Sequence, residues 1–386
     1  MDAHVHPQPL YLLLCAVAIF EASLFCLPPH SLHRAAAIAL LAAVTYSFQL
    51  SLLEYFPNRA FLSITLGATW TTFLNAFEIL IVSNVGPQDP GLQLANPGKP
   101  ICQAFRAATL PFNWRRIGTK WQIKVPASTK DGSIPGRVRF LFRRLSLLTA
   151  CYLFMDLSTA GPPPDPNMIT REKQTISYLL AGTGATSEDV GFRVITTVIY
   201  LISAALGVIG LYNLLAVVAV LCGDQPQSWP PIWQGWPSQA YSVRRFWGVS
   251  SNYYHQGLRK ALSGPADWIV DLVIPRGNLI SRYSRLALAF FLSAILHHQA
   301  EGSETGQLIF FSSQALGIIS EDIVFKLYSF SPIQLPRHIE RALGYLWVLV
   351  WLVCLVPYWS YSTMRTIDDP VRDRATFGVF KKILSK

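Results

Sequence analysis

Charge is what this sequence has least of: only 14% of its 386 residues are Asp, Glu, Lys or Arg. Soluble domains carry about 25%, and a soluble chain of this length would need that charge to cover its surface. The shortage excludes an ordinary soluble enzyme. A hydrophobic content of 51% excludes a disordered chain or a collagen-like fibre. Cysteine is also sparse. The six residues Cys15, Cys26, Cys102, Cys151, Cys222 and Cys354 are scattered, with no CxxC pair and no disulfide framework, and read as small apolar packers. No Lys or Arg precedes the first apolar block, so it lacks the basic n-region of a secretory signal and is expected to be a retained span. GxxxxGK[ST], GxGxxG and GxSxG are absent, which argues against a P-loop, a Rossmann site and a serine-hydrolase elbow. No repeat of solenoid length is visible.

What the sequence does have is long apolar blocks. They run over 10–26, 34–52, 60–84, 141–158, 194–222, 286–300, 308–325 and 342–361, each near the length that spans a bilayer. The segment 265–281 is a weaker ninth candidate. Trp and Tyr gather near the block ends, as an interfacial belt requires. The expected fold is an all-α polytopic membrane protein of about eight to ten transmembrane helices, a single membrane domain over 1–386.

The net charge of +10 is confined to loops, so it points to topology and an anionic ligand rather than to nucleic acid. Residues 85–144 hold eleven Lys and Arg against Asp89 and Asp131, which makes 85–140 a basic cytosolic loop. The motif-bearing segment 223–264 is basic as well, hence cytosolic. Loops 157–193 and 301–307 are acidic, hence lumenal, and the N-terminus comes out lumenal. Loop 326–341 is basic, yet the tail 362–386 is also basic after one apparent span. Either 342–361 turns back, or 265–281 enters the membrane.

Three stretches carry candidate chemistry. The apolar helix Leu286–Leu296 ends in His297-His298-Gln299. An imidazole at membrane depth is costly and reads as functional, as a general base in a dry pocket. The competing reading is a His pair at headgroup level. A metal is not expected, because His297-x-x-x-Glu301 has no third ligand nearby and no second His cluster exists. The second stretch is Ser242-Val-Arg-Arg-Phe-Trp-Gly248 continuing to Asn252, His255, Arg259 and Lys260. Arg244, Arg245, Arg259 and Lys260 suit the phosphates of a nucleotide-like donor, and Trp247 suits a ring stack; equally, this is a juxtamembrane amphipathic helix with snorkelling basic residues. The third is the basic loop Asn113–Trp121, a donor entrance or a binder of anionic lipid heads. Among the intramembrane carboxylates Glu21, Glu78, Asp156, Glu321 and Asp322, Glu78 lies deepest in a block, as a proton donor or a buried hydrogen-bonded residue.

These residues resemble the wax-synthase-like branch of the membrane-bound O-acyltransferases, most of all the fungal acetyltransferases of terpenoid and meroterpenoid pathways. Arg116-Ile-Gly-Thr-Lys-Trp121 is similar to that family's Arg-x-Ile-Gly-x-x-Trp pattern. Ser242–Gly248 follows a Trp/Pro-rich approach, Trp229–Trp236, as in the family. Ser293-Ala-Ile-Leu-His297 is similar to its Ser-Gly-x-x-His. The likeness covers roughly 100 to 300, in the same order. The chain departs from it in three places. The polar residue after Phe-Trp-Gly aligns with Asn252 or, after a three-residue insertion, with His255. Ala294 stands where Gly is usual, and His298 where an acidic residue is common.

The resemblance implies a helical chamber open to cytosol and membrane. It implies acetyl-CoA as co-substrate with no metal, and a lipophilic hydroxylated acceptor arriving from the lipid. His297 would be the base and Asn252 or His255 a second polar group. The implied location is the endoplasmic reticulum membrane. A long-chain wax-ester synthase and a membrane terpene cyclase working through Glu78 stay open as alternatives.

Overall fold

The computed structural model describes residues 8–56, 59–89, 107–117, 119–123, 136–180, 184–232, 238–248, 256–301, 304–332, 334–366 and 380. Among these, the regular structure is helical throughout. In chain order the helices are α1 (Gln8–Cys26), α2 (Leu32–Tyr55), α3 (Arg59–Phe77, continued by a π-turn over Glu78–Val82), α4 (Arg137–Ser158), α5 (Ile176–Leu180) and α6 (Ser187–Leu221). There follow α7 (Val243–Phe246), α8 (Gln256–Asp271), α9 (Leu279–Glu301), α10 (Gly306–Ser329) and α11 (Arg337–Arg365). Seven helices are long and apolar enough to cross a membrane. The eighth expected block is α4, whose first two turns carry Arg137, Arg139, Arg143 and Arg144.

Each expected block is a helix, and the caps explain where the ends differ. Helix α6 starts seven residues before its apolar block, at Ser187. The Thr186 hydroxyl accepts from the Asp189 amide and the Asp189 carboxylate accepts from the Thr186 amide, a capping box that satisfies orphan donors of the first turn. The ninth candidate, 265–281, is not a span. It is cut between α8 and α9 at 272–278, where Pro275 cannot donate to a helix and Gly277 takes φ +95°.

By contacts the chain divides into two compact units: 1–124 with 256–300, and 125–255 with 301–386. In the first, α1 packs on α2, α2 on α3, and α3 on α8. Leu24, Ile79 and Leu80 are fully buried there, beside Phe20 and Leu41. Helix association in lipid draws little on the hydrophobic effect, so close packing and polar contacts set the register. Arg34, fully buried near the start of α2, supplies such contacts. Its guanidinium donates to the carbonyls of Leu24, Leu27, Leu80 and Val85 at 3.5, 3.2, 3.3 and 2.9 Å. It thus ties the end of α1 to the π-turn, using carbonyls that helix ends leave unpaired. The last turn of α9 packs through Ala300 on Leu52, Leu62 and Leu66 of α2 and α3.

In the second unit, α4 runs along α6, α6 packs on α11, and α10 on α11. Arg144 is buried and donates to Asn213 Oδ1 at 2.7 Å. Pro357 sits inside α11 and has no N–H for the Val353 carbonyl one turn earlier. Arg193 of α6 fills that gap: its Nε donates to Val353 O at 2.8 Å and its Nη2 to Cys354 O at 2.7 Å. The far end of α11 is fixed by Arg365, which pairs with Glu304 at 2.6 Å and donates to Gln174 Oε1 at 2.6 Å. That hydrogen bond holds the Glu304 carboxyl below its ordinary range. Helix α11 therefore runs unbroken through 29 residues and ends beside the acidic loops 157–193 and 301–307. Of the two expected ways out of the topology strain, the first does not hold: 342–361 does not turn back.

Helices α10 and α11 approach closely at two glycines. A Cβ on Gly306 would lie 1.8 Å from the Tyr358 carbonyl oxygen, and one on Gly317 would lie 2.7 Å from the Trp351 ring. The first obstacle is backbone and cannot swing away. Gly306→Ala is expected to destabilise by about 1–3 kcal/mol or more, read as a lowered unfolding midpoint of the purified protein in detergent. An unchanged midpoint would show that the two helices separate freely.

Candidate active site

The segment Ser242–Gly248 is built onto α10. Ser242 Oγ accepts from the Arg245 amide at 3.0 Å and starts the one-turn helix α7. The Glu321 carboxylate of α10 accepts from the amides of Val243 and Arg244, the latter at 3.2 Å, and from Trp347 Nε1 at 3.0 Å. Arg244 pairs with Asp322 at 2.6 Å. Two intramembrane carboxylates of the sequence thus hold the motif in place. Trp247 donates to Gln314 Oε1 at 3.0 Å, and Trp351 donates to the same oxygen at 3.1 Å. The Trp247 ring sits among Phe246, Phe310 and Phe311, and Gln314 is fully buried. Arg245 lies over the Tyr241 ring, 4.5 Å from its centroid. Gly248 follows at φ +74°, a conformation open to glycine.

His297 belongs to the other unit. It lies one turn before the end of α9, half-buried, on the helix face that also holds the buried Phe290, Ser293, Ala294 and Ala300. The spacing of these residues places them on one helical stripe. His298 points a third of a turn away by the same geometry and is also half-buried.

Arg259 and Lys260 lie on α8 in the same unit as His297. Lys260 Nζ is 3.8 Å from Glu78 Oε1. Glu78 is 1% exposed; it pairs with Arg116, which is fully buried, and accepts from Ser83 Oγ at 2.7 Å. Arg116 also donates to Asn75 Oδ1 at 2.9 Å and holds a left-handed φ of +56°. Such a backbone costs about 1–3 kcal/mol and persists where its surroundings over-determine it. Glu78 is therefore engaged as a structural carboxylate between two cations. Asn252 and His255 lie outside the described residues. Among the described residues, no group of three or more His, Cys, Asp or Glu is placed to hold a metal.

Of the expected site residues, Arg244, Arg245 and Trp247 come together in one unit, and His297, Arg259 and Lys260 fall in the other. Gln314 is a motif contact that reading by residue type missed. Its only signal is an uncharged amide within the apolar block 308–325.

Residues 229–313, which contain both the Ser242–Gly248 segment and His297, match the model of the membrane bound O-acyl transferase family. The acetyltransferase ataH of Aspergillus terreus is 30% identical over 301 residues, covering 73% of this chain and 96% of the relative. The chain belongs to the membrane bound O-acyl transferase family. This acyltransferase is also similar to the acetyltransferase aurG of Calcarisporium arbuscula, 28% identical over 73% of this chain and 72% of the relative. The acetyltransferase TRI7 of Fusarium sporotrichioides is 26% identical over 82% and 78%. No solved structure matches the acyltransferase. Family and apolar helices together make it an integral membrane enzyme.

Proposed function

We propose that this acyltransferase moves an acetyl group from acetyl-CoA to a hydroxyl of a lipophilic secondary metabolite, a terpenoid or meroterpenoid, in the endoplasmic reticulum membrane. The observation that carries the reading is His297 on the buried face of α9, inside the region that matches the family model. The names of three relatives, each an acetyltransferase, support the acetyl donor.

His297 accepts the hydroxyl proton as the acceptor oxygen attacks the thioester carbonyl carbon. The tetrahedral intermediate collapses with cleavage of the C–S bond. The CoA thiolate leaves and takes the proton back from the imidazolium. Asn252 or His255 positions the acceptor or polarises the carbonyl. No acyl-enzyme is required where both reactants are held together. Arg244, Arg245, Arg259 and Lys260 are candidate phosphate contacts, with Trp247 as an aromatic contact. Its Gln314 bond fixes the ring in one orientation.

Donor choice tests the acetyl reading directly. In microsomes holding the full chain, labelled acetyl-CoA is expected to acylate a hydroxylated terpenoid pool, with little competition from palmitoyl-CoA. Preferential palmitoyl transfer would instead make the enzyme a long-chain wax-ester synthase.

A further inference from the structure

Two hollows lie side by side in the second unit, away from His297 in sequence and outside the candidate contacts of α8. One, of about 540 Å³, is lined by Arg337, His338, Arg341, Ala342 and Tyr345. The other, of about 260 Å³, is lined by Tyr241, Ser242, Arg244, Arg245, Asp322 and Phe325. Tyr241 is the wall between them. Its ring meets Tyr345 edge-on, with centroids 6.0 Å apart, and lies between two guanidinium groups, Arg245 at 4.5 Å and Arg341 at 5.5 Å. Gly344 packs so tightly on Tyr241 that a Cβ there would lie 2.2 Å from its carbonyl oxygen.

The charge in these walls is one-sided. Asp322 is matched by Arg244. Glu321 is closed off by two amides and the Trp347 indole. Glu340 accepts the Tyr328 hydroxyl at 3.0 Å. Among the described residues, Arg337, His338 and Arg341 make no ion pair, and each is exposed.

We infer that this double hollow binds the nucleotide end of the acyl donor. The phosphate monoester and diphosphate lie on Arg245, Arg337, His338 and Arg341, and the adenine lies against Tyr345. Guanidinium forks match phosphate oxygens in pairs, and the larger hollow lies open along one face of α11, where Arg337, Arg341 and Tyr345 follow at helical spacing. The walls are preorganised by Glu321, Asp322 and Gly344, which a stripe of basic residues touching lipid heads does not need. Arg245 belongs to the Ser242–Gly248 motif and Tyr241 immediately precedes it, so the site is continuous with the family segment. The inference rests on the CoA-dependent reading above and adds α11 to it.

The test uses the full chain in discs of phosphatidylcholine alone, probed with labelled CoA and adenosine 3′,5′-bisphosphate. Wild type binds both. Arg337→Ala/Arg341→Ala binds both at least about tenfold more weakly, the loss of two charge-assisted contacts, with an unchanged unfolding midpoint. Arg341→Lys loses less than Arg341→Ala. In transfer assays the double variant raises KM for acetyl-CoA and leaves kcat unchanged, and its KM for acetyl-pantetheine, which has no nucleotide, stays at the wild-type value. Unchanged nucleotide affinity in the double variant overturns the inference. So does a loss confined to binding of phosphatidylserine vesicles, which would make the hollows a headgroup site. Nucleotide binding that depends on Arg337 and Arg341 without any acetyl transfer by wild type would sink the acetyl reading and uphold the site.

Discussion

Replacing His297 by alanine lowers acetyl transfer by about a hundred- to ten-thousandfold at equal protein level, the usual worth of a positioned general base. The expectation follows from its place on α9. The helix has an apolar body, and the face bearing His297 is buried at Ser293, Ala294 and Ala300. An imidazole kept there against the cost of membrane depth has a task that alanine cannot perform. His298 is the control. It lies next in sequence but on a different face, so His298→Ala keeps most of the transfer. The measurement is incorporation of labelled acetyl-CoA into hydroxylated terpenoids by microsomes carrying each variant. Equal transfer by wild type and His297→Ala would remove His297 from the mechanism and move the base to His298 or His255. The same series separates an enzyme from a lipid carrier, since a carrier needs no base.

The second large effect is on stability. Glu78 and Arg116 form a buried ion pair, 1% and 0% exposed. Removing one partner of such a pair strands the other charge and costs about 3–5 kcal/mol. Glu78→Leu and Arg116→Met are each expected to lose that much. The double variant is expected to recover most of it, because paired replacement by apolar residues is often neutral. Lys260, 39% exposed beside Glu78, can turn to water when the carboxylate is gone. Unfolding midpoints of the three variants in detergent form the cycle. Additive losses would show that Glu78 and Arg116 do not act as a pair. Glu78→Gln carries a further reading. A terpene cyclase that begins with carboxylic-acid protonation would lose all activity, whereas an acyltransferase keeps its transfer per folded molecule.

The helices were legible in the sequence because lipid leaves the backbone no other partner. Each apolar block became a helix, and His297 fell on α9 where the block ended. The family segments could be placed on the same grounds, by residue order alone. Partner choice was not legible. Period 3.6 gives each helix a face but does not say which distant residue meets it. Glu321 read as one of several intramembrane carboxylates; only packing of α10 against Val243, Arg244 and Trp347 made it the anchor of the motif. Glu78 read as either acid or structural residue until Arg116, 38 residues on, closed over it. The topology strain had the same source. Charge counts along the chain left the tail unplaced, while one contact between Arg365 and Glu304 fixed where α11 ends. Sequence by itself determined which segments are helical and apolar, since that depends on neighbours along the chain. The tertiary structure decided which buried charges are paired, since a charge in a low-dielectric interior is settled by whatever lies within a few ångströms of it, at any sequence distance.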